Sequence, residues 1–302
     1  MRTVEPLGPD RLACACGRRY AVIDGVPIVF AEPSYDIVGA VERDLSPEVA
    51  ALLAAPGPDD APYARHLEHQ SIYMDAHWGD RAEPPPDGPG ANGTSAVFAK
   101  LAERASHRVE LAVELGCSAG RGLAELARGA DHVVGVDVQH ASLRHARHLL
   151  AGEPVAYARR VVGRNYRAAI AHGLRTPHVT LVCGDALDPP LIHGTYQRVV
   201  ALNLIDAVRQ PLQLLSVVDG LCAHGGELVL ASPYAWSSAF VDEHERFGGT
   251  DPAAALVAIL TSGDGLAARY TIEDQADLPW TLRRDARSAA TYCIHYVRAR
   301  KL

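Results

Sequence analysis

The chain has 302 residues, 48% of them hydrophobic, enough for one large domain with an appendage. A formal charge of −7 argues against nucleic acid or an anionic membrane held through a general basic surface. The opening "MRTVEPLGPDR" lacks the apolar core of a signal peptide and no apolar run approaches the ~18 residues of a membrane span, so a cytoplasmic protein is expected.

Residues 10–31, "DRLACACGRRYAVIDGVPIVFA", read as short strands joined by turns. Cys14 and Cys16 are the only close pair among the six cysteines; Cys117, Cys183, Cys222 and Cys293 are scattered, several of them in apolar runs. Structural zinc wants four ligands, usually from two C-x2-C-like pairs. A lone C-x-C does not assemble that set, so no metal is expected and the thiols are read as reduced and mostly buried. The stretch "CGRRYAVIDGVPIVF" resembles the small zinc-ribbon-like domain fused to or partnered with some bacterial methyltransferases, with the metal ligands lost. Residues 1–34 are accordingly expected to form a degenerate zinc-ribbon-like segment.

Residues 35–78 read as helices, broken at Pro56-Gly57-Pro58, and end in "YARHLEHQSIYMDAHW". Residues 79–95 are rich in Pro and Gly and read as a mobile loop or linker. Together, 35–95 are expected to be a helical lid and its linker, with a helix at about 95–107 opening a main domain over 96–302.

From Val109 the rhythm alternates: "RVELAVELG" strand, "RGLAELARG" helix, "HVVGVDV" strand, "HASLRHARHLLAG" helix, a helical insertion over 153–176, then "HVTLVCGDA" and "RVVALNLID" as strands, "PLQLLSVVDGLC" as a helix and "GGELVLASP" as a strand. Such alternation implies a parallel sheet with crossover helices. The tail carries two strand-like runs, "ARYTIEDQADLPW" and "TYCIHYVRAR", on a short connection, so they should pair antiparallel. Five parallel βα units closed by an antiparallel hairpin is the organisation of the class I methyltransferase fold, a Rossmann-like, doubly wound α/β sheet.

Ligands of open α/β sheets bind at the carboxyl ends of the strands. The turn after the first strand carries Gly116, Gly120 and Gly122, neither the dinucleotide spacing nor a P-loop. Glu114-Leu-Gly116-Cys117-Ser118-Ala-Gly120 resembles the E-x-G-x-G-x-G motif of S-adenosylmethionine-dependent methyltransferases, with Ser118 where a glycine often stands. Glycines let backbone pass close under a flat nucleoside, and Glu114 supplies an acid on the ammonium side. Asp137 ends the second strand 21 residues after Gly116, where a carboxylate accepts both ribose hydroxyls. The resemblance implies that Val138 joins it, that Asp185 and Ala186 hold the adenine, and that Asn203 and Leu204 line the methyl-transfer site. S-adenosylmethionine is the implied cofactor and S-adenosylhomocysteine the product.

The C-terminal half, with "ALNLIDAVRQP", "GGELVLASPYAWSSAF", "HERFGGT" and "ADLPWTLRRDAR", is similar to the methyltransferase domain of ovothiol synthases, mercaptohistidine N-methyltransferases. That resemblance covers about 110–300 and implies a small polar acceptor, an imidazole or a thiol, in natural-product biosynthesis.

Methyl transfer from a sulfonium asks the protein to align and desolvate the acceptor. A thiol or imidazole needs little help; a hydroxyl needs a base. Among 14 histidines, His66, His69 and His77 accompany Tyr63, Tyr73 and Trp78 in the expected lid. These histidines and Asp206 are the catalytic candidates, Tyr73 a donor contact, and Tyr63, Trp78, Tyr234 and Trp236 the acceptor wall. His140, His145 and His148 lie on one helical face and read as solvated; Arg283 and Arg284 read as a surface strand end or a carboxylate site. An O-methyltransferase and a catalytically silent methyltransferase-like partner stay open as alternatives. The sequence leaves the oligomeric state open.

Overall fold

The computed structural model describes residues 4–8, 11–14, 18–30, 62–91, 95–236, 238 and 241–302. At the N-terminus β1 (Val4–Gly8), β2 (Arg11–Cys14), β3 (Arg19–Ile23) and β4 (Val26–Pro27) form an antiparallel sheet in sequence order. Asp24 and Gly25, both with left-handed φ, make the two-residue turn between β3 and β4, the backbone that an Asp-Gly pair suits. Cys16 and residues 35–61 of the run 35–78 expected as helical lie outside the described residues.

The chain then forms α1 (Pro62–Trp78), β5 (Ala82–Glu83), α2 (Ala96–Ala102), β6 (Val109–Leu115), α3 (Arg121–Leu126), β7 (Ala130–Asp137) and α4 (His140–Leu150). After them come β8 (Pro154–Val162), β9 (Asn165–His172), β10 (Val179–Cys183), β11 (Tyr196–Leu202), α5 (Pro211–Leu221), β12 (Cys222–Ser232), α6 (Pro252–Ser262), β13 (Tyr270–Arg283) and β14 (Ala289–Lys301).

Seven strands make the central sheet, in the order β10-β7-β6-β11-β12-β14-β13. The first five are parallel, and β14 runs antiparallel to both of its neighbours. This is the expected mostly parallel sheet with an antiparallel C-terminal hairpin, the class I methyltransferase fold. The order reverses between β6 and β11, which opens a crevice at their carboxyl ends. Successive side chains of a strand point to opposite faces. Val113, Leu115, Val199, Ala201, Leu228 and Leu230 thus pack with α5 and α6, while Ala112, Val200, Val229 and Ala231 pack with α1 to α4.

The insertion over 153–176, expected as helical, is a β-hairpin: β8 and β9 pair antiparallel, and β5 adds a third strand beside β9. Val155, Tyr157 and Arg159 are buried and Ala156 is exposed, a period of two that packs one side of β8 against α1. Gly163 takes a positive φ at the reversal.

Helix α1 is a structural layer and not a loose cover. Met74 and Trp78 sit in the main hydrophobic core, and Trp78 has no exposed surface. The Asp75 carboxylate accepts from Tyr157 Oη at 2.5 Å, Arg159 Nε at 2.8 Å and Arg283 Nη1 at 3.2 Å, all buried. Arg283 also donates to the Asp87 backbone and carboxylate, each at 2.8 Å. Its side chain is therefore a buried tie between β13 and the Pro/Gly-rich run, in place of the surface strand end or substrate site expected. The described part of that run is anchored by this tie and by β5, not free as a linker would be.

The N-terminal sheet docks on the β10 edge. Ile28 bridges Cys183 in parallel, and Val29 N donates to the Cys183 carbonyl at 2.8 Å. Asp24 pairs with Arg144 and Arg147 on α4, and His140 Nε2 lies 3.1 Å from the Ile23 carbonyl.

Candidate active site

The turn after β6 is built for close approach. Gly116 has a φ of +74°, and a Cβ there would come within 2.9 Å of Leu204. Gly120, φ +82°, would meet Ala146 at 2.9 Å, so it lets α3 start tight against α4. Asp137, at the carboxyl end of β7, accepts Ser118 N on Oδ2 and Gln139 N on Oδ1, both at 2.8 Å. These bonds fix the carboxylate while leaving lone pairs for a ligand. Burial raises the Asp137 pKa above the ordinary aspartate value, and the backbone amides of Gln139, Ser118 and Val138 work against that rise.

A cavity of about 470 Å³ opens here. The sequence-predicted residues Gly116, Asp137, Val138, Asp185, Ala186 and Leu204 all line it. Asp185 turns its Oδ1 to Leu187 N at 2.9 Å, which shapes the turn after β10. Cys117 is fully buried behind the turn, and burial pushes its thiol well up, so it is no nucleophile. Glu114 is buried beneath the first turn of α3, where a Cβ on Gly122 would collide with it at 2.2 Å. Burial, then the Asp137 charge, raises its pKa well above the usual range.

Several buried polar atoms around this crevice have no hydrogen-bond partner: Glu114 Oε2, Ser118 Oγ, and both amide atoms of Asn203. Buried polar groups are paired in the great majority of cases, so such a group asks for a ligand or another explanation. Backbone strain gathers at the same end of the sheet. Ser118, Asn203, Tyr234 and Trp236 take φ values of 46°, 51°, 51° and 43°, a region non-glycine residues seldom occupy. Outliers of this kind cluster at functional sites.

Tyr73 is half-buried on α1, its ring 4.3 Å from that of His69. Burial, followed by the charges of Asp137 and Asp206, pushes its phenol up to about 12. His66 and His69 are half-buried on the same helix. Burial, with His66 nearby, lowers His69 to about 4.

Other expected site residues are placed in structural roles. His77 is buried against Phe98 and Trp280; its Nδ1 accepts Arg121 N at 3.4 Å, at the start of α3, and burial lowers it to about 3. It serves the helix end rather than a substrate. Trp78 donates Nε1 to the Ala119 carbonyl at 2.8 Å from inside the core, so it holds the glycine-rich turn and is not acceptor wall. Asp206 has both oxygens engaged, by Ser232 Oγ at 3.0 Å and Ala235 N at 2.9 Å. These bonds tie it to the loop after β12. The Tyr63 side chain lies outside the described residues.

Tyr234 and Trp236 are half-buried, their rings 5.9 Å apart, with Phe247 5.4 Å from Trp236. Tyr234 Oη lies 2.9 Å from His295 Nδ1. Sequence reasoning missed this histidine, and it missed Phe30, Leu187, Ala207, Val208 and Arg209 along the cavity. Arg283, expected as exposed, is buried, and Arg284 is exposed. Among the described residues no group of three or more metal-ligating side chains could hold an ion, and no helix is long and apolar enough to cross a membrane.

No curated protein matches the chain. Among solved structures, the N-methyltransferase NodS from Bradyrhizobium japonicum WM9 is similar at 15% identity and a TM-score of 0.44, over 81% of this chain and 99% of that one. Magnesium protoporphyrin IX methyltransferase from Synechocystis PCC 6803, with bound S-adenosylmethionine, gives 15% identity and a TM-score of 0.42, over 90% and 99%. A S-adenosylmethionine-dependent methyltransferase from Aquifex aeolicus gives 13% and 0.43, over 68% and 89%. Residues 113–230, from the first parallel strand of the large sheet to the fifth, match the methyltransferase domain family.

Proposed function

We propose that this protein transfers a methyl group from S-adenosylmethionine to a small-molecule acceptor. One coincidence carries the reading. The crevice where strand order reverses combines a glycine turn, a fixed carboxylate on Asp137, and unpartnered buried polar atoms on Glu114, Ser118 and Asn203. The donor fits these residues, since it carries two ribose hydroxyls, a flat base, an ammonium and a carboxylate. It supplies a methyl group already activated on a sulfonium. Asp137 holds the ribose, and Val138, Asp185 and Ala186 flank the base. Glu114 and Ser118 face the amino-acid end, and Asn203 lies beside the reacting centre. Tyr73 covers the site from α1 and excludes water.

The acceptor atom is a nitrogen or sulfur of an imidazole- or thiol-bearing metabolite, as in the ovothiol-synthase domain that the C-terminal half resembles. What supports this is the weakness of the available bases. His69 is held at about 4, and His77 is lower still with Nδ1 engaged. A base that weak has little drive to take a proton from a hydroxyl, whereas an imidazole or thiol asks little of it.

The test is a panel of acceptors with isotopically labelled donor. Imidazole- and thiol-bearing small molecules should gain label while simple phenols and alcohols do not. Labelling of hydroxyl compounds alone would overturn the acceptor class. Failure of the protein to bind S-adenosylhomocysteine in calorimetry would overturn the methyl-transfer reading itself.

A further inference from the structure

The N-terminal sheet has no part in the glycine turn or in the strand-end acids, yet it reaches their cavity. Ile28 bridges Cys183 on the outer edge of β10, and Val29 N bonds the Cys183 carbonyl at 2.8 Å. Residues 28–30 thereby extend the large sheet by one short parallel segment. Side chains alternate along it: Val29 joins the core on the α5 side, and Ile28 and Phe30 join the other. The same step brings Phe30 to the wall of the cavity, beside Val138, Asp185 and Ala186. A second observation marks this wall as one that wants a ligand. Val138 is an apolar side chain left 51% exposed just past the end of β7, between the half-buried Asp137 and Gln139. An apolar wall next to the fixed Asp137 carboxylate suits a flat, apolar-faced group joined to a diol.

We infer that Phe30 is a binding residue for the purine base of the donor, and that the N-terminal sheet is therefore a working part of the donor site. The inference rests on the methyl-transfer reading above. Phe30 supplies a ring face to the base from outside the methyltransferase-type core. The docking that delivers it is made by two backbone contacts at Cys183 and by Asp24 against Arg144 and Arg147.

The experiment uses the full-length chain and S-adenosylhomocysteine in calorimetry, with wild type, Phe30→Leu, Phe30→Trp and Asp137→Ala. Leucine keeps apolar fill but removes the ring face. Aromatic–base contacts are typically strong enough that their loss weakens binding by about tenfold. Phe30→Leu should show that loss while still folded at the assay temperature, with a lowered unfolding temperature because Phe30 is 6% exposed and packs in the core, and Phe30→Trp should bind at least as well as wild type. Phe30→Trp should also show a ligand-dependent change in indole fluorescence beyond that of wild type, a signal a purely structural residue would not give. Wild-type affinity in Phe30→Leu, or no added fluorescence change in Phe30→Trp, overturns the inference. If Asp137→Ala weakens binding while both Phe30 variants behave as wild type, the donor site stands and only Phe30 falls. If wild type binds no S-adenosylhomocysteine, both readings fall.

Discussion

At the scale of single residues, the two acids of the proposed donor site differ in setting, and their protonation separates them. Asp137 is held by two backbone amides at 2.8 Å, yet burial leaves its pKa raised. Ribose hydroxyls need its ionised form as acceptor, so donor affinity should fall as the pH drops through that raised value, earlier than for an ordinary aspartate. Asp137→Ala should weaken S-adenosylhomocysteine binding at least tenfold in calorimetry, because two charge-assisted bonds at about 1.5–3 kcal/mol each are lost. Glu114 is buried with one oxygen unpartnered, and its pKa lies well above 4.5. A raised pKa in the folded state means that the stability it contributes is complete below the unfolded value and is lost as pH rises through the folded one. Glu114→Gln removes that loss, so the variant should be as stable as wild type in acid and more stable above neutrality, read by thermal unfolding against pH. A ligand ammonium nearby would draw Glu114 into its charged form. Donor binding should therefore release a proton in wild type and not in Glu114→Gln, measured by calorimetry in buffers of different ionisation enthalpy. Gly116, Asp137, Val138, Asp185, Ala186 and Leu204 were legible in the sequence, because strand ends are marked by local pattern and all six meet at one cavity. The structural bonds of His77, Trp78 and Asp206 were not legible, because residue type announces chemistry while partners are set by the fold. Nothing local shows that Arg121 N, the Ala119 carbonyl and Ala235 N would take them up.

At the scale of elements, α1 belongs to the folded core. Deleting residues 1–78 would remove Met74 and Trp78 from the main hydrophobic cluster and Asp75 from Arg159 and Arg283. The lid expectation of a stable core that merely turns over slowly gives way to loss of folding, seen as aggregation or an absent unfolding transition. Asp75→Ala isolates the electrostatic share. It strands Arg159, at 0% exposure, and leaves Arg283, at 2%, with Asp87 as its remaining carboxylate; breaking a buried pair costs about 3–5 kcal/mol. A fall in unfolding free energy below about 1 kcal/mol would mean that the arginines find other acceptors, such as the Pro84 and Arg160 carbonyls they already touch. The β8–β9 hairpin was read as helix for a related reason. Its alanines and arginines favour helix locally, while the two-residue alternation around Tyr157 and Arg159 becomes decisive only once α1 lies across it.

At the scale of the whole molecule, the central sheet was readable because five short apolar runs alternate with helical ones, and because two long terminal runs share a short connection. The attachment of the N-terminal sheet was not. Pairing between residues 28–29 and Cys183 spans more than half the chain, and no local pattern says which sheet edge an apolar run will meet. The left-handed backbone at Ser118, Asn203, Tyr234 and Trp236 has a consequence for engineering the molecule. Each such position costs on the order of 1–3 kcal/mol, and all four follow the carboxyl ends of strands β6, β11 and β12, at the rim of the sheet where methyl transfer is proposed. Mutations selected for heat resistance should therefore accumulate there, with a loss of turnover. Asn203→Gly is the sharpest case, since it relaxes the backbone and removes two unpartnered buried atoms. It should raise the unfolding temperature by a few degrees, at about 1 kcal/mol, and slow single-turnover methylation. A variant both hotter and as fast would show that strain at residue 203 is incidental. The opposite result would make this rim the place where heat tolerance and turnover pull against each other.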